Sequence, residues 1–201
     1  ADEYFGRLLD LFDKYDLWSD TALVLTTDHG FLLGEHDWWA KNRMPVYDEI
    51  AHIPLMIYHP DFIQKGGSRI AALTQTTDIM PTLLDMAGIN IPKDATGYSL
   101  MPLLRDQKSD RDSVIFGYYG AAVNISDGRY SYFHYPTALG AENLYEYTLM
   151  PTRMTTRFSI RDLVGATLFS SFAFTKGTPI LRLKPKTDKN DEPVEVQGMN
   201  F

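Results

Sequence analysis

The sequence predicts an α/β fold, and three observations carry the prediction. An amphipathic helical pattern over residues 2–15 runs into an apolar stretch at 22–25 that reads as a strand. A second apolar run at 55–58 stops at Pro60, and a well-signalled helix follows at 76–88. Beyond residue 112 the pattern turns from helical to extended, and Asp127-Gly128 between two extended runs is a hairpin signal.

The elements follow in order. Tyr4-Phe5, Leu8-Leu9 and Leu11-Phe12 recur at helical spacing, with Arg7, Asp10 and Asp13 between them, so the first helix covers one face of a sheet. Residues 16–20 connect it to the first strand, and 31–45 reads as a long loop of the length that usually carries function. A short helix is expected at 47–51 after Pro45, then the strand at 55–58, a polar turn at 61–68 and a weaker strand at 71–73. In the 76–88 helix Thr77 or Asp78 can cap, Pro81 falls in the first turn, and Gly88 supplies the stop. Ile79, Leu83, Leu84 and Met86 are its expected core stripe. After a charged linker at 105–112, strands are expected at 113–119, 121–126 and 129–135, with one more at 143–147. Phe169, Phe172 and Phe174 suggest another packed element, and the charged 184–195 stretch reads as an extended tail.

With 201 residues, 44% hydrophobic and 22% charged, the chain can bury a real core. No apolar run approaches the length of a membrane helix. A formal net charge of −7 argues against a general nucleic-acid binder, and the absence of cysteine excludes a disulfide framework and thiolate metal sites. A lack of cysteine suits a reducing compartment without establishing one, so cytoplasmic and periplasmic or secreted placements stay equally open.

The chemistry concentrates where the first strand ends. Thr26-Thr27-Asp28-His29-Gly30 places a carboxylate and an imidazole at the carboxyl end of a strand, where open α/β sheets keep their sites. Gly30 frees the backbone from strand alternation, so Asp28 and His29 can converge on one divalent cation. Each also has a plainer role open to it: Asp28 could cap the turn, and His29 could be a satisfied loop histidine. Lys41, after Trp38-Trp39-Ala40, is suited to clamp an oxyanion or could simply be solvated. His36 could touch substrate or orient the loop. Tyr47, Asp48 and Glu49 could pair with Lys41 or Arg43 behind the site, while His52, His59 and His134 read as structural or exposed.

Five segments occur in order: Thr26 to Gly30, Gly34-Glu35-His36, Trp38 to Lys41, Val46 to Glu49, and His52 to Pro60. Together with 78–92 and 96–104 they resemble the sulfatase family of the alkaline phosphatase superfamily, and also its phosphonate monoester hydrolases. The resemblance implies an alkaline-phosphatase-like sandwich, a mixed sheet flanked by helices, with a small antiparallel C-terminal subdomain. On that basis residues 1–108 belong to the catalytic α/β domain, 109–150 to the β subdomain, and 151–201 to an extension.

By the same resemblance Asp28 and His29 bind one divalent metal, calcium first, with manganese or zinc as the alternative. Lys41 is the catalytic and substrate-binding cation, and His36 is a second candidate substrate contact. The substrate is an anionic sulfate or phosphate ester. Sulfatases carry a formylglycine nucleophile in a Cys/Ser-x-Pro-x-Arg motif that does not occur here, so the chain is expected to be the C-terminal portion of a longer enzyme. The remaining N-terminal half is then its closest partner, and the apolar surface that this half would cover makes a homo-oligomer possible. The other readings are a phosphonate monoester or phosphodiester hydrolase on the same fold, and a non-catalytic interaction module.

Overall fold

The structure is a computed structural model and describes residues 2–41, 45–109, 111–118, 122–135, 145–152 and 155–183. Helix α1 spans Asp2–Lys14, with Asp2 and Glu3 in its first turn and Lys14 in its last, each sign matched to the helix dipole. It buries Phe12, whose ring lies 4.7 Å from that of Trp18. Trp18 in turn stands edge-on to Tyr58, and the Tyr58 hydroxyl donates to the Trp18 carbonyl at 2.6 Å. This aromatic stack fastens the helix and the turn after it to the strand Leu55–Tyr58.

Strand β1, Leu23–Thr26, pairs antiparallel with that strand, from Leu23 opposite Tyr58 to Thr26 opposite Leu55. The next two strands lie inside the segment expected to be loop: β2, Leu32–Leu33, pairs antiparallel with β3, Trp39–Ala40. Two-residue strands carry too little periodicity to be read from sequence. A short helix α2, Asp48–Ala51, precedes β4, Leu55–Tyr58. Leu32, Val46 and Ile50 form the buried cluster under this hairpin, and Tyr47, Phe116 and Tyr118 pack against it. Every strand pair among the described residues is antiparallel. The stretch at 71–73 joins no ladder, which corrects the expected weak strand there.

Helix α3, Ile79–Met86, ends as its sequence predicts. Gly88 has φ 67°, its N–H bonds the Asp85 carbonyl at 3.0 Å, and Ile89 N–H bonds the Leu84 carbonyl at 2.8 Å, a Schellman stop. Its start and its core stripe differ from expectation. Asp78 does not cap by hydrogen-bonding forward; its carboxylate reaches back to the N–H of Gln75 at 2.7 Å and across to that of Tyr98 at 2.8 Å. The buried face is Pro81 and Thr82, while Leu83 is 49% exposed. The physical reason is the partner: the 96–100 segment lies on the Asp78–Thr82 side, with Tyr98 N–H on the Asp78 carboxylate and Leu100 N–H on the Thr82 hydroxyl at 2.9 Å. Helix α4, Met101–Leu104, follows and buries Met101.

The linker leads into β5, Val114–Gly117, β6, Val123–Ser126, and β7, Ser131–His134, an antiparallel meander in the order predicted. Asp127 and Gly128 sit in the β6–β7 turn, with Gly128 at φ 84° and the Asp127 carboxylate accepting from Arg129 and Tyr130 N–H. A second sheet is made by β8, Glu146–Thr148, β9, Thr167–Phe169, and β10, Ile180–Leu183, with β10 central. Strands from both sides of residue 150 therefore share one sheet. Of the expected 143–147 strand, 143–144 lie outside the described residues, as do the 184–195 tail and Arg43.

Candidate active site

Asp28 and His29 lie just beyond the C-terminal end of β1, the position expected of them. Gly30 explains how both side chains come to one side. Its N–H bonds the Ile50 carbonyl at 2.9 Å, and a Cβ added there would collide with the Glu49 carbonyl, so the chain can press against α2 only as glycine. That contact turns the backbone after His29 and brings His29 Nε2 to 3.4 Å from Asp28 Oδ2.

The imidazole is fixed at its other nitrogen. His29 Nδ1 lies 2.8 Å from the Gly30 carbonyl, an acceptor only, so Nδ1 carries the proton and Nε2 presents its lone pair. Lys41 Nζ faces that lone pair at 2.5 Å. The lysine is brought there by the β2–β3 hairpin, and the Tyr118 hydroxyl holds the Lys41 carbonyl from the meander. Burial raises the Tyr118 phenol above its ordinary 10.0, which keeps it a donor.

The Asp28 carboxyl stands below its ordinary 3.8. Desolvation pushes it up, while hydrogen bonds from its own N–H, the His29 N–H and the Thr27 hydroxyl pull it down. It is therefore an exposed, ionised carboxylate beside an imidazole nitrogen, a donor pair suited to a divalent cation. Among the described residues no group of three or more Asp, Glu, His or Cys is arranged to hold a metal ion. Asp28 and His29 fit as part of a ligand set, with Gly30 as the carbonyl that fixes the histidine tautomer.

His36 is drawn into a different contact. Its ring stacks on Tyr47 at 3.6 Å with an interplanar angle of 5°, and Nε2 lies 3.3 Å from the Glu49 carboxylate. His36 and Asp37 have φ of 56° and 54°, and Ala40 has φ 138°, so three non-glycine residues in this hairpin hold positive φ. Such backbone strain gathers at functional sites. Glu35 secures the bend: its own N–H and that of Leu33, the latter at 2.5 Å, hold its carboxyl below the ordinary 4.5. Tyr47 and Glu49 thus brace His36, and Asp48 bonds His52 at 3.2 Å instead of pairing with Lys41 as expected. Tyr118 is the contributor that sequence reasoning missed; it lies 77 residues from Lys41, and no local signal links them.

Comparison with known proteins gives a consistent picture. Residues 34–162 match the family described as N-sulphoglucosamine sulphohydrolase, C-terminal. An N-acetylglucosamine-6-O-sulfatase of Bacteroides thetaiotaomicron is 41% identical over 120 residues, 59% of this chain and 21% of its own length. Arylsulfatase K of Homo sapiens is 36% identical over 134 residues, 63% of this chain and 24% of its own. The chain therefore spans about a fifth to a quarter of the length of these two relatives. A solved structure in complex with its substrate, D-glucosamine-2-N,6-O-disulfate, superposes with TM-score 0.60 at 35% identity, over 67% of this chain and 29% of the other. A phosphonate monoester hydrolase from Silicibacter pomeroyi superposes with TM-score 0.55 at 28% identity, over 67% and 30%.

Proposed function

The chain belongs to the sulfatase family, through the N-sulphoglucosamine sulphohydrolase type of C-terminal domain, and we propose that its parent enzyme hydrolyses sulfate esters of an amino sugar. The observation that carries the reading is the convergence of Asp28, His29 and Lys41 at the end of β1. A sulfate ester carries one negative charge spread over its outer oxygens, and cleavage of its S–O bond leaves negative charge on the departing alcohol oxygen. Lys41, half-buried and held by the hairpin, is the cation that meets this charge.

Asp28 and His29 would be among the residues that hold a divalent cation, calcium first and manganese or zinc as the alternative. When bound, that ion neutralises sulfate oxygens and acidifies the nucleophile. The nucleophile itself, a formylglycine by resemblance, belongs to the part of the parent enzyme beyond the matched stretch. The Gly30 carbonyl fixes the His29 ring so that Nε2 faces the Asp28 side, and Tyr118 holds the Lys41 backbone beside it. His36 acts through Glu49 and Tyr47 to hold the strained hairpin; this supports a positioning role over a direct substrate contact.

The phosphonate monoester hydrolases share the fold at TM-score 0.55, so the competing substrate class is a phosphonate ester. Turnover by the full-length parent enzyme decides between them. Sulfate release from D-glucosamine-2-N,6-O-disulfate should exceed phosphonate release from a phenyl phosphonate ester in kcat/KM. A preference for the phosphonate, or no sulfate release from any sugar or aryl sulfate, overturns the reading.

A further inference from the structure

A second cationic group lies on the β8–β10–β9 sheet, which carries neither Asp28 nor Lys41. Arg182 on the central strand is directly opposite Tyr147 on one side and Thr167 on the other, so these three share a face. Tyr145 and Phe169, two residues along, share it too. The Arg182 guanidinium carbon stands 4.7 Å from the Tyr145 ring centre and 5.2 Å from that of Phe169. Among the described residues it forms no ion pair; the lysine and arginine pairs there belong to Lys65, Arg111 and Lys176. Along edge strand β8 runs an open cleft of about 500 Å³; Tyr145 and Tyr147 line it from the Arg182 face, Glu146, Thr148 and Leu183 from the opposite face, and Phe158 completes it.

Two features point to a ligand class. Aromatic rings on both sides fix the plane of a guanidinium and leave its N–H edge free, and that edge matches the paired oxygens of a sulfate or carboxylate. Tyrosine and phenylalanine faces lining an open cleft suit the apolar C–H face of a sugar ring. In a chain of net charge −7, a half-buried arginine without a carboxylate partner among the described residues is a local exception. Glu146 alternates to the opposite face of β8, so it borders the cleft but does not pair with Arg182.

We propose that Arg182, Tyr145 and Phe169 form an accessory subsite for the anionic group of a sulfated saccharide, whose ring lies in the cleft beside β8. The proposal rests on the sulfatase reading for the identity of the ligand, and its test does not depend on turnover. The probe is D-glucosamine-2-N,6-O-disulfate, titrated into the isotope-labelled chain while the Arg182 side-chain N–H resonance is followed by NMR. Arg182→Lys identifies that resonance by its loss.

The resonance should shift saturably with the disulfate and not with D-glucosamine at matched ionic strength. The shift should persist in Lys41→Ala. Arg182→Met, which keeps the stem between the rings and removes the charge, should weaken the binding followed at the Tyr145 ring protons about tenfold. An unmoved Arg182 resonance overturns the proposal, as does an equal shift with sodium chloride or abolition of the shift by Lys41→Ala. An enzyme that turns over no sulfate ester but keeps the Arg182 shift would refute the proposed reaction and leave the subsite standing.

Discussion

Lys41 Nζ lies 2.5 Å from His29 Nε2, on the side of the ring opposite the nitrogen that binds the Gly30 carbonyl. One lone pair is thus contested by two cations: the lysine that faces it here, and the divalent ion that Asp28 and His29 are suited to hold. A bound ion would take Nε2 and leave the Lys41 ammonium free to turn toward the substrate's oxygens. The proposed separation of metal-binding and anion-binding roles rests on this geometry.

Gly30 is where that geometry is most easily broken. Gly30→Ala forces a methyl group into the Glu49 carbonyl, and overpacking of this kind costs about 1–3 kcal/mol. Gly6 lies in α1 with nothing near its Cβ position, so Gly6→Ala should stabilise by about 0.5–1 kcal/mol. Thermal unfolding of the two variants should shift in opposite directions.

Asp78 holds the meander to the α3 end of the molecule. It is fully buried, and its carboxylate accepts from Arg111 at 2.5 Å, whose side chain is 10% exposed. Arg111 also donates to Gln75 at 2.6 Å and lies over the Tyr98 ring. Asp78→Ala leaves that guanidinium buried without its partner, a loss of about 3–5 kcal/mol. Chemical denaturation should show it, and Asp78→Ala combined with Arg111→Met should recover part of the loss.

How much of this was legible in the sequence follows from where each determinant lies. Asp28, His29, Gly30 and Lys41 are close in sequence and chemically distinctive, so their convergence could be read from residue type and spacing. The helix at 79–86 was legible from its stop, yet its buried face was not. Leucines set the expected stripe, whereas Asp78, buried by an arginine 33 residues away, sets the real one. The β2–β3 hairpin was illegible because two-residue strands carry no period. Of the β8–β10–β9 sheet only part of β8 was expected as strand, and its pairing was illegible because β9 and β10 lie far along the chain.

Two aspartates should titrate low. Asp28 is placed below its ordinary value against the opposing pull of desolvation, and Asp127 chiefly by the N–H groups of Tyr130 and Arg129. A depressed folded-state value means that their stabilising interactions are complete above pH 3.8 and are lost as pH falls through the folded value. Carboxyl-carbon NMR should give midpoints below 3.8 for both, and a midpoint above it for Asp127 would contradict the turn geometry.

The outer side of α1 leaves Tyr4 71%, Leu11 45% and Tyr15 61% exposed, and Met56 on β4 is 59% exposed. Apolar surface of this kind seeks a partner. Sedimentation of the isolated 201-residue chain should show association that rises with concentration and weakens in Tyr4→Ser/Leu11→Ser. A monomer at all concentrations would contradict it.

The most direct test of the site is metal content measured together with turnover in the full-length parent enzyme carrying Asp28→Ala or Lys41→Ala. Asp28→Ala removes a charged ligand and should lose most of the bound metal and, with it, orders of magnitude in rate. Lys41→Ala leaves Asp28 and His29 in place, so metal content should stay near normal. Sulfate-ester turnover should then fall about a hundredfold to a thousandfold through loss of the facing cation. Full activity in Lys41→Ala, or normal metal and rate in Asp28→Ala, would contradict the assignment of this strand end as the active site.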